Sequence, residues 1–153
     1  MSLVEAGAGY ALLELAGAAG ALAGGTLSDR LGRRRTLIAS HMITVPFFYA
    51  LVAGPEMALL PLLALTGFLV FSGTPIVLAI VQELLPEARS TASGLYFSLN
   101  YLSTGLAAVL FGALADVLGI QSAFLLLAFA PLLAVPFGLW LPARPRATHS
   151  PGG

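Results

Sequence analysis

Residues 25–35 read Gly25-Thr26-Leu27-Ser28-Asp29-Arg30-Leu31-Gly32-Arg33-Arg34-Arg35, and four of the chain's seven arginines stand in this one stretch. Apolar sequence runs away from it in both directions. Residues 6–24 carry a single charged side chain, Glu14, and residues 36–53 carry no Asp, Glu, Lys or Arg. Each run is about the length that crosses a hydrocarbon core roughly 30 Å thick at about 1.5 Å rise per residue. A basic segment between two such runs reads as a short connection at a membrane face, with a helix entering the bilayer on either side.

Composition extends that reading to the whole chain. Of 153 residues, 58% are hydrophobic and only 9% charged, with a mean hydropathy of +0.94, whereas soluble domains average about 25% charged residues. The apolar runs are too long and too many for a core of this size to bury, so lipid must cover them. A net charge of zero gives no basis for attraction to nucleic acid. The absence of cysteine excludes disulfides, thiol catalysis and thiolate metal sites. The two histidines, His41 and His149, are far apart, and neither a phosphate-binding G-x-x-x-x-G-K-[ST] loop nor a G-x-S-x-G nucleophile elbow occurs. No enzyme, cofactor or metal site is therefore expected. The N-terminus lacks the basic region and small-residue cleavage site of a signal peptide, so the first apolar run is expected to stay in the mature protein.

Five spans are predicted, at residues 6–24, 36–53, 57–84, 91–115 and 120–141, followed by a polar Pro/Gly-rich tail over 142–153 that reads as disordered. In the third span the Ser72-Gly73-Thr74-Pro75 stretch predicts a kink, because Pro75 removes a backbone donor and clashes one turn back. There is no lysine, and the arginines follow the first span (Arg30, Arg33, Arg34, Arg35), the third (Arg89) and the fifth (Arg144, Arg146). Short arginine-bearing loops stay in the cytoplasm, which puts the N-terminus outside and the C-terminus inside.

The opening stretch has an echo. GTLSDRLG at residues 25–32 and GALADVLG at residues 112–119 share G-x-L-x-D-x-L-G with a constant offset of 87 positions, Gly25 matching Gly112. In the topology above, one copy ends a span at the inner face and the other at the outer face, which is an inverted relation. The outer copy lacks the arginines, as the positive-inside rule demands. Spans one and four then correspond, as do two and five, and the counterpart of span three would precede span one.

These residues carry a family resemblance. Residues 25–37 resemble the G-x-L-a-D-r-x-G-r-k-x-x-l loop of major facilitator superfamily transporters, departing only at Ser28, for a small residue, and Arg34, for a lysine. The segment PEARSTASG at residues 86–94 is similar to the connection between the fourth and fifth helices of a C-terminal transporter half, of the fosmidomycin-resistance type of drug and proton antiporter. The resemblance implies an all-α polytopic fold, here a partial half-bundle equivalent to the last five of twelve helices, with the first helix of its inverted triplet and the N-terminal half missing. It implies transport of a small organic solute, proton-coupled efflux by alternating access, in a bacterial inner membrane. It also implies a conformational latch at Gly25, Leu27, Asp29, Arg30, Gly32, Arg33 and Arg34, whose acid and bases make contacts across helices. A purely topogenic basic loop is the alternative for that stretch. For the whole chain, the alternative is a five-span membrane scaffold without transport.

Glu14 lies near the middle of span one, where an acid costs roughly 2.5–3.5 kcal/mol on insertion scales and should face protein or water. It is a candidate proton- or cation-coupling carboxylate, or else a hydrogen-bonded acid that joins helices. Gly17, Gly20 and Gly24 provide a face for close helix approach. Ser93, Tyr96, Asn100, Ser103 and Thr104 form a polar stripe on span four at helical spacing, fit for substrate contact or interhelical hydrogen bonds. By the resemblance, Thr66, Ser72 and Thr74 of span three line the transport pathway. His41 reads as wetted or packed rather than as a proton relay, and Gln82 and Glu83 as helix-end or latch groups.

Overall fold

The computed structural model describes residues 2–140, so the tail at 142–153, the last residue of span five and His149 lie outside the described residues. Five helices are long and apolar enough to cross a membrane: Leu3–Leu31, Arg33–Ala53, Glu56–Leu84, Pro86–Leu118 and Ile120–Trp140. In chain order these comprise α1 (Leu3–Leu31), α2 (Arg33–Ala53), α3 (Leu59–Ser72), α4 (Thr74–Leu84), α5 (Arg89–Leu118), α6 (Ile120–Leu127) and α7 (Ala134–Trp140). Short 3-10 turns precede α3, α5 and α7.

The segment at residues 25–35, expected to be a loop, is almost wholly helical. α1 runs on through Leu31, α2 begins at Arg33, and Gly32 alone joins them, at φ +94° and ψ 137°. Polar side chains do not break this helix, because they satisfy themselves on its own backbone. Thr26 Oγ1 donates to the Leu22 and Ala23 carbonyls, and Ser28 Oγ donates to the Gly25 carbonyl at 2.8 Å. At 29 residues, α1 is roughly 44 Å long and outreaches the hydrocarbon core, so its last turns carry the charged residues clear of the lipid tails.

Gly119 repeats the device. It joins α5 to α6 alone, at φ +82° and ψ 153°, and with Gly32 it makes up the positive-φ glycines among the described residues. Both close the preceding helix in the same way: the Gly32 N–H donates to the Ser28 carbonyl at 3.0 Å, and the Gly119 N–H to the Ala115 carbonyl at 2.9 Å. Such a backbone excludes side chains other than hydrogen at little cost. The two copies of G-x-L-x-D-x-L-G are therefore the same structural element, a helix ending in a one-residue joint.

Span three breaks where expected, α3 giving way to α4 at Gly73 just before Pro75. Span five breaks as well, against the expectation of one continuous helix. Its α-helix stops at Leu127, passes through a 3-10 turn over Ala130–Leu133 and resumes at Ala134. Pro131 lies in the turn and has no N–H to continue the ladder.

The core is the seam between α1 and α3. A Cβ at Gly20 would collide with the Phe68 carbonyl and one at Gly24 with the Ser72 carbonyl, while a Cβ at Gly67 would lie 2.5 Å from the Leu13 carbonyl oxygen. The two backbones touch, which leaves no room for side chains between them. α7 packs on α2, Gly138 lying against Ile38. α5 stands at the margin. It meets α4 near its start, where Gln82 Nε2 donates to Ser93 Oγ at 2.9 Å, and α6 near its end, where the Phe111 and Phe124 rings are 4.6 Å apart. Between these contacts, residues 97–110 are all exposed.

Candidate functional site

At the arginine-bearing end, Arg33 begins α2 and reaches two carboxylates on different helices. Its Nε and Nη2 both donate to Glu83 Oε1, at 2.8 and 2.6 Å, and its Nη1 stands 3.5 Å from Asp29 Oδ1. The joint at Gly32 makes this possible: it sets Asp29, in the last turn of α1, beside Arg33, in the first turn of α2, while Glu83 arrives at the end of α4. Arg33 is 24% exposed, Glu83 37% and Asp29 67%. Water therefore screens the pair, but double donation to one oxygen places its contribution toward the upper end of the surface range, about 1 kcal/mol. Among the described residues Arg33 is the arginine that binds acids; Arg30 and Arg35 are exposed and Arg34 half-exposed. Leu27 is 47% exposed, and Gly25 lies beside Pro75, where a Cβ would sit 3.9 Å from the proline's own.

A cleft of about 340 Å³ opens between α4 and α5. Val81, Leu85, Ala92, Leu95 and Leu99 make its apolar wall, and Tyr96, Asn100 and Ser103 bring polar groups to it. The stripe expected on span four is thus divided. Ser93 Oγ donates to the Arg89 carbonyl and accepts from Gln82, and Thr104 Oγ1 donates to the Asn100 carbonyl at 2.9 Å, so these two serve the helices. The other three face the cleft, which begins two residues from the acid that Arg33 holds.

Span three does not contribute Thr66, Ser72 and Thr74 to this cleft. Thr66 is 2% exposed, in the α3 segment that packs on α1, and its hydroxyl has no hydrogen-bond partner among the described residues. Ser72, also buried, donates to the Leu69 carbonyl at 2.7 Å, and Thr74 is exposed at the start of α4. Glu14 is exposed too, on the flank of α1 beside the glycine seam, with the Tyr10 phenol next to its carboxylate. No helix among the described residues covers it.

For His41, read as wetted or packed, and Glu83, read as a helix-end or latch group, the sequence did not show the partners. His41 Nδ1 donates to the Leu37 carbonyl at 2.9 Å and its ring abuts Gly73, bracing the α3/α4 break from α2. Glu83 is the main partner of Arg33, 50 positions away; an acid at the end of one span opposite arginines at the end of another was the available signal, but pairing them needed the fold.

Five helices long and apolar enough to cross a membrane, an arginine clamp at one end and a cleft of mixed polarity define a polytopic membrane protein. Comparison with known proteins specifies it further: residues 1–153 match the Major Facilitator Superfamily, and the chain belongs to that family. It is 35% identical over 122 residues to an uncharacterized MFS-type transporter, YfnC, of Bacillus subtilis, covering 79% of this chain and 30% of that protein. It is 32% identical over 118 residues to the fosmidomycin resistance protein of Escherichia coli, covering 77% of this chain and 29% of that protein. The chain thus spans less than a third of the length of these curated relatives. No solved structure matches it.

Proposed function

We propose that this chain is part of a secondary carrier that exports a small organic solute in exchange for protons, by alternating access across a bacterial inner membrane with the N-terminus outside. The observation that carries this reading is the cleft between α4 and α5, where Tyr96, Asn100 and Ser103 stand against an apolar wall next to the Arg33–Glu83 pair. Such a pocket suits an organic molecule with a few polar groups. The clamp ties α2 to the α4 end of span three, and its breakage would free α4 to move against α1. Glu14 supplies the coupling acid: its flank is uncovered here and would meet the helices that the longer relatives have in excess. The name of the E. coli relative gives the first solute to try.

The test co-expresses the chain with the part of the E. coli fosmidomycin resistance protein that it does not match, in a fosmidomycin-sensitive strain. Tolerance is expected to rise only when both pieces are present, to fall about tenfold with Asn100→Ala, and to lose its dependence on the proton gradient with Glu14→Gln. Tolerance that stays at the level of either piece alone would sink the proposal for this solute class. An Arg33→Ala chain that still exports at the full rate would remove the clamp from the mechanism.

A further inference from the structure

Neither the arginine clamp nor the cleft uses His41. Its Nδ1 lies 2.9 Å from the Leu37 carbonyl, which can only accept, so the neutral ring carries its proton on Nδ1. The other nitrogen, Nε2, is then a bare acceptor, and it makes no hydrogen bond among the described residues. Cε1, the carbon bonded to both nitrogens, is the ring atom closest to Gly73, where an added Cβ would lie 3.3 Å from it. Nε2 therefore stands at the break in span three, and the carbonyls there are short of donors. Pro75 has no N–H to give the Phe71 carbonyl one turn back. The Gly73 N–H turns to Phe71, so the Leu69 carbonyl takes the Ser72 hydroxyl instead, at 2.7 Å. The last carbonyls of a helix favour a donor or a positive charge beside them. Half-buried on α2, the ring is also open enough to exchange a proton with water.

We infer that His41 is a proton-binding site whose two states set how firmly α2 holds the α3/α4 break. In the neutral ring Nε2 is an acceptor among acceptors, and the break is free to bend. A proton from water on Nε2 turns it into a donor, which binds a carbonyl at the end of α3 and pins the break to α2. His41 is thus a switch at one place, not a relay through the membrane. No other titratable group stands level with it. α3, α6 and α7 carry none. On α1, Gly24 marks the level of the break by touching Ser72, while Tyr10 and Glu14 lie in the first half of that helix and Asp29 and Arg30 in its last turn. Glu83 of α4 is ten residues beyond Gly73. On α2 itself, Arg33, Arg34 and Arg35 occupy the first turn, and Tyr49 lies about two turns past His41. The inference concerns the break alone and does not depend on the solute or the direction of transport.

Two measurements on the chain in lipid nanodiscs test it, between about pH 8 and about pH 5, the range over which a histidine can exchange its proton. With His149→Gln, His41 is the only histidine, and nuclear magnetic resonance of its isotope-labelled ring nitrogens follows each proton. Nδ1 is expected to stay protonated throughout, and Nε2 to gain its proton as the pH falls. The chain has no cysteine, so spin labels on cysteines placed at Leu60 of α3 and Leu84 of α4, both exposed, report the break across roughly 36 Å of helix. Their distance distribution is expected to narrow to about half its width in step with the protonation of Nε2. His41→Gln, whose amide always offers an N–H, should be narrow at both ends of the range, and His41→Leu broad at both. Four results would each overturn the inference: a ring still neutral at the acid end, a neutral ring protonated on Nε2, a width that does not follow the ring, or the same pH dependence surviving in His41→Gln or His41→Leu. The last would assign the effect to the Arg33–Glu83 clamp. Ring and width are both read in chains that keep His41, so the inference stands or falls even where a substitution at that position unfolds the bundle.

Discussion

α1 and α5 end in the same eight-residue pattern and turn on the same glycine geometry, yet one is seated against a neighbour along its length and the other stands bare between its two ends. The difference lies in the residues that precede the shared ending. Toward span three α1 offers Gly9, Leu13, Gly17, Gly20 and Gly24; 87 positions on, α5 offers Tyr96, Asn100, Thr104, Ala107 and Phe111. The joint fixes how each helix finishes, and the face decides how closely anything approaches it. Charge separates them again, since Asp29 has Arg33 beside it while Asp116 is followed by Val117 and Leu118.

The widest gap between the two helices should open with Gly20→Leu against Ala107→Leu. Overpacking a closed seam costs roughly 1–3 kcal/mol, and because the Phe68 backbone itself must retreat, the loss at Gly20 should approach about 3 kcal/mol. At Ala107 it should stay within about 0.5 kcal/mol in the chain alone, as for an exposed position. Reversible unfolding in mixed micelles followed by circular dichroism reads both. Equal losses would dissolve the comparison.

The next effect sharpens the likeness instead. Gly32→Ala and Gly119→Ala each force a Cβ into a backbone region kept for glycine, at a cost of about 1–3 kcal/mol. If the joints are equivalent the two losses agree within error; a harmless Gly119→Ala would mean that the second copy only imitates the first.

The smallest effect concerns charge. A double-mutant cycle on Arg33→Ala and Glu83→Gln should return a coupling of about 1 kcal/mol that shrinks in high salt. Asp29→Asn should cost less, given its 3.5 Å separation and greater exposure. Asp116→Asn should change nothing measurable.

Hydropathy made the five spans readable, since lipid tolerates no other reading of runs so long and apolar. It failed at the polar segments. Thr26 and Ser28 look like loop residues until their hydroxyls are seen turned onto the preceding carbonyls. Pro131, hidden within an apolar run, divides span five although composition there never changes. The candidate site was half legible: Tyr96, Asn100 and Ser103 share a face by spacing alone, whereas their separation from Thr66 and Ser72 depends on which side of span three meets α1. Arg33 was visible as a charge, and Glu83 as its partner was not, because that contact exists only after α2 and α4 have been brought together.

The one-residue joints also have a mechanical consequence. A single glycine leaves no slack between helices, so α1 with α2, and α5 with α6, behave as stiff brackets whose arms tilt together. Compliance is left to the Gly54-Pro55 and Leu85-Pro86 connections and to the breaks at Gly73 and Pro131. Any rearrangement of this bundle is then a movement of whole hairpins about proline- and glycine-bearing pivots.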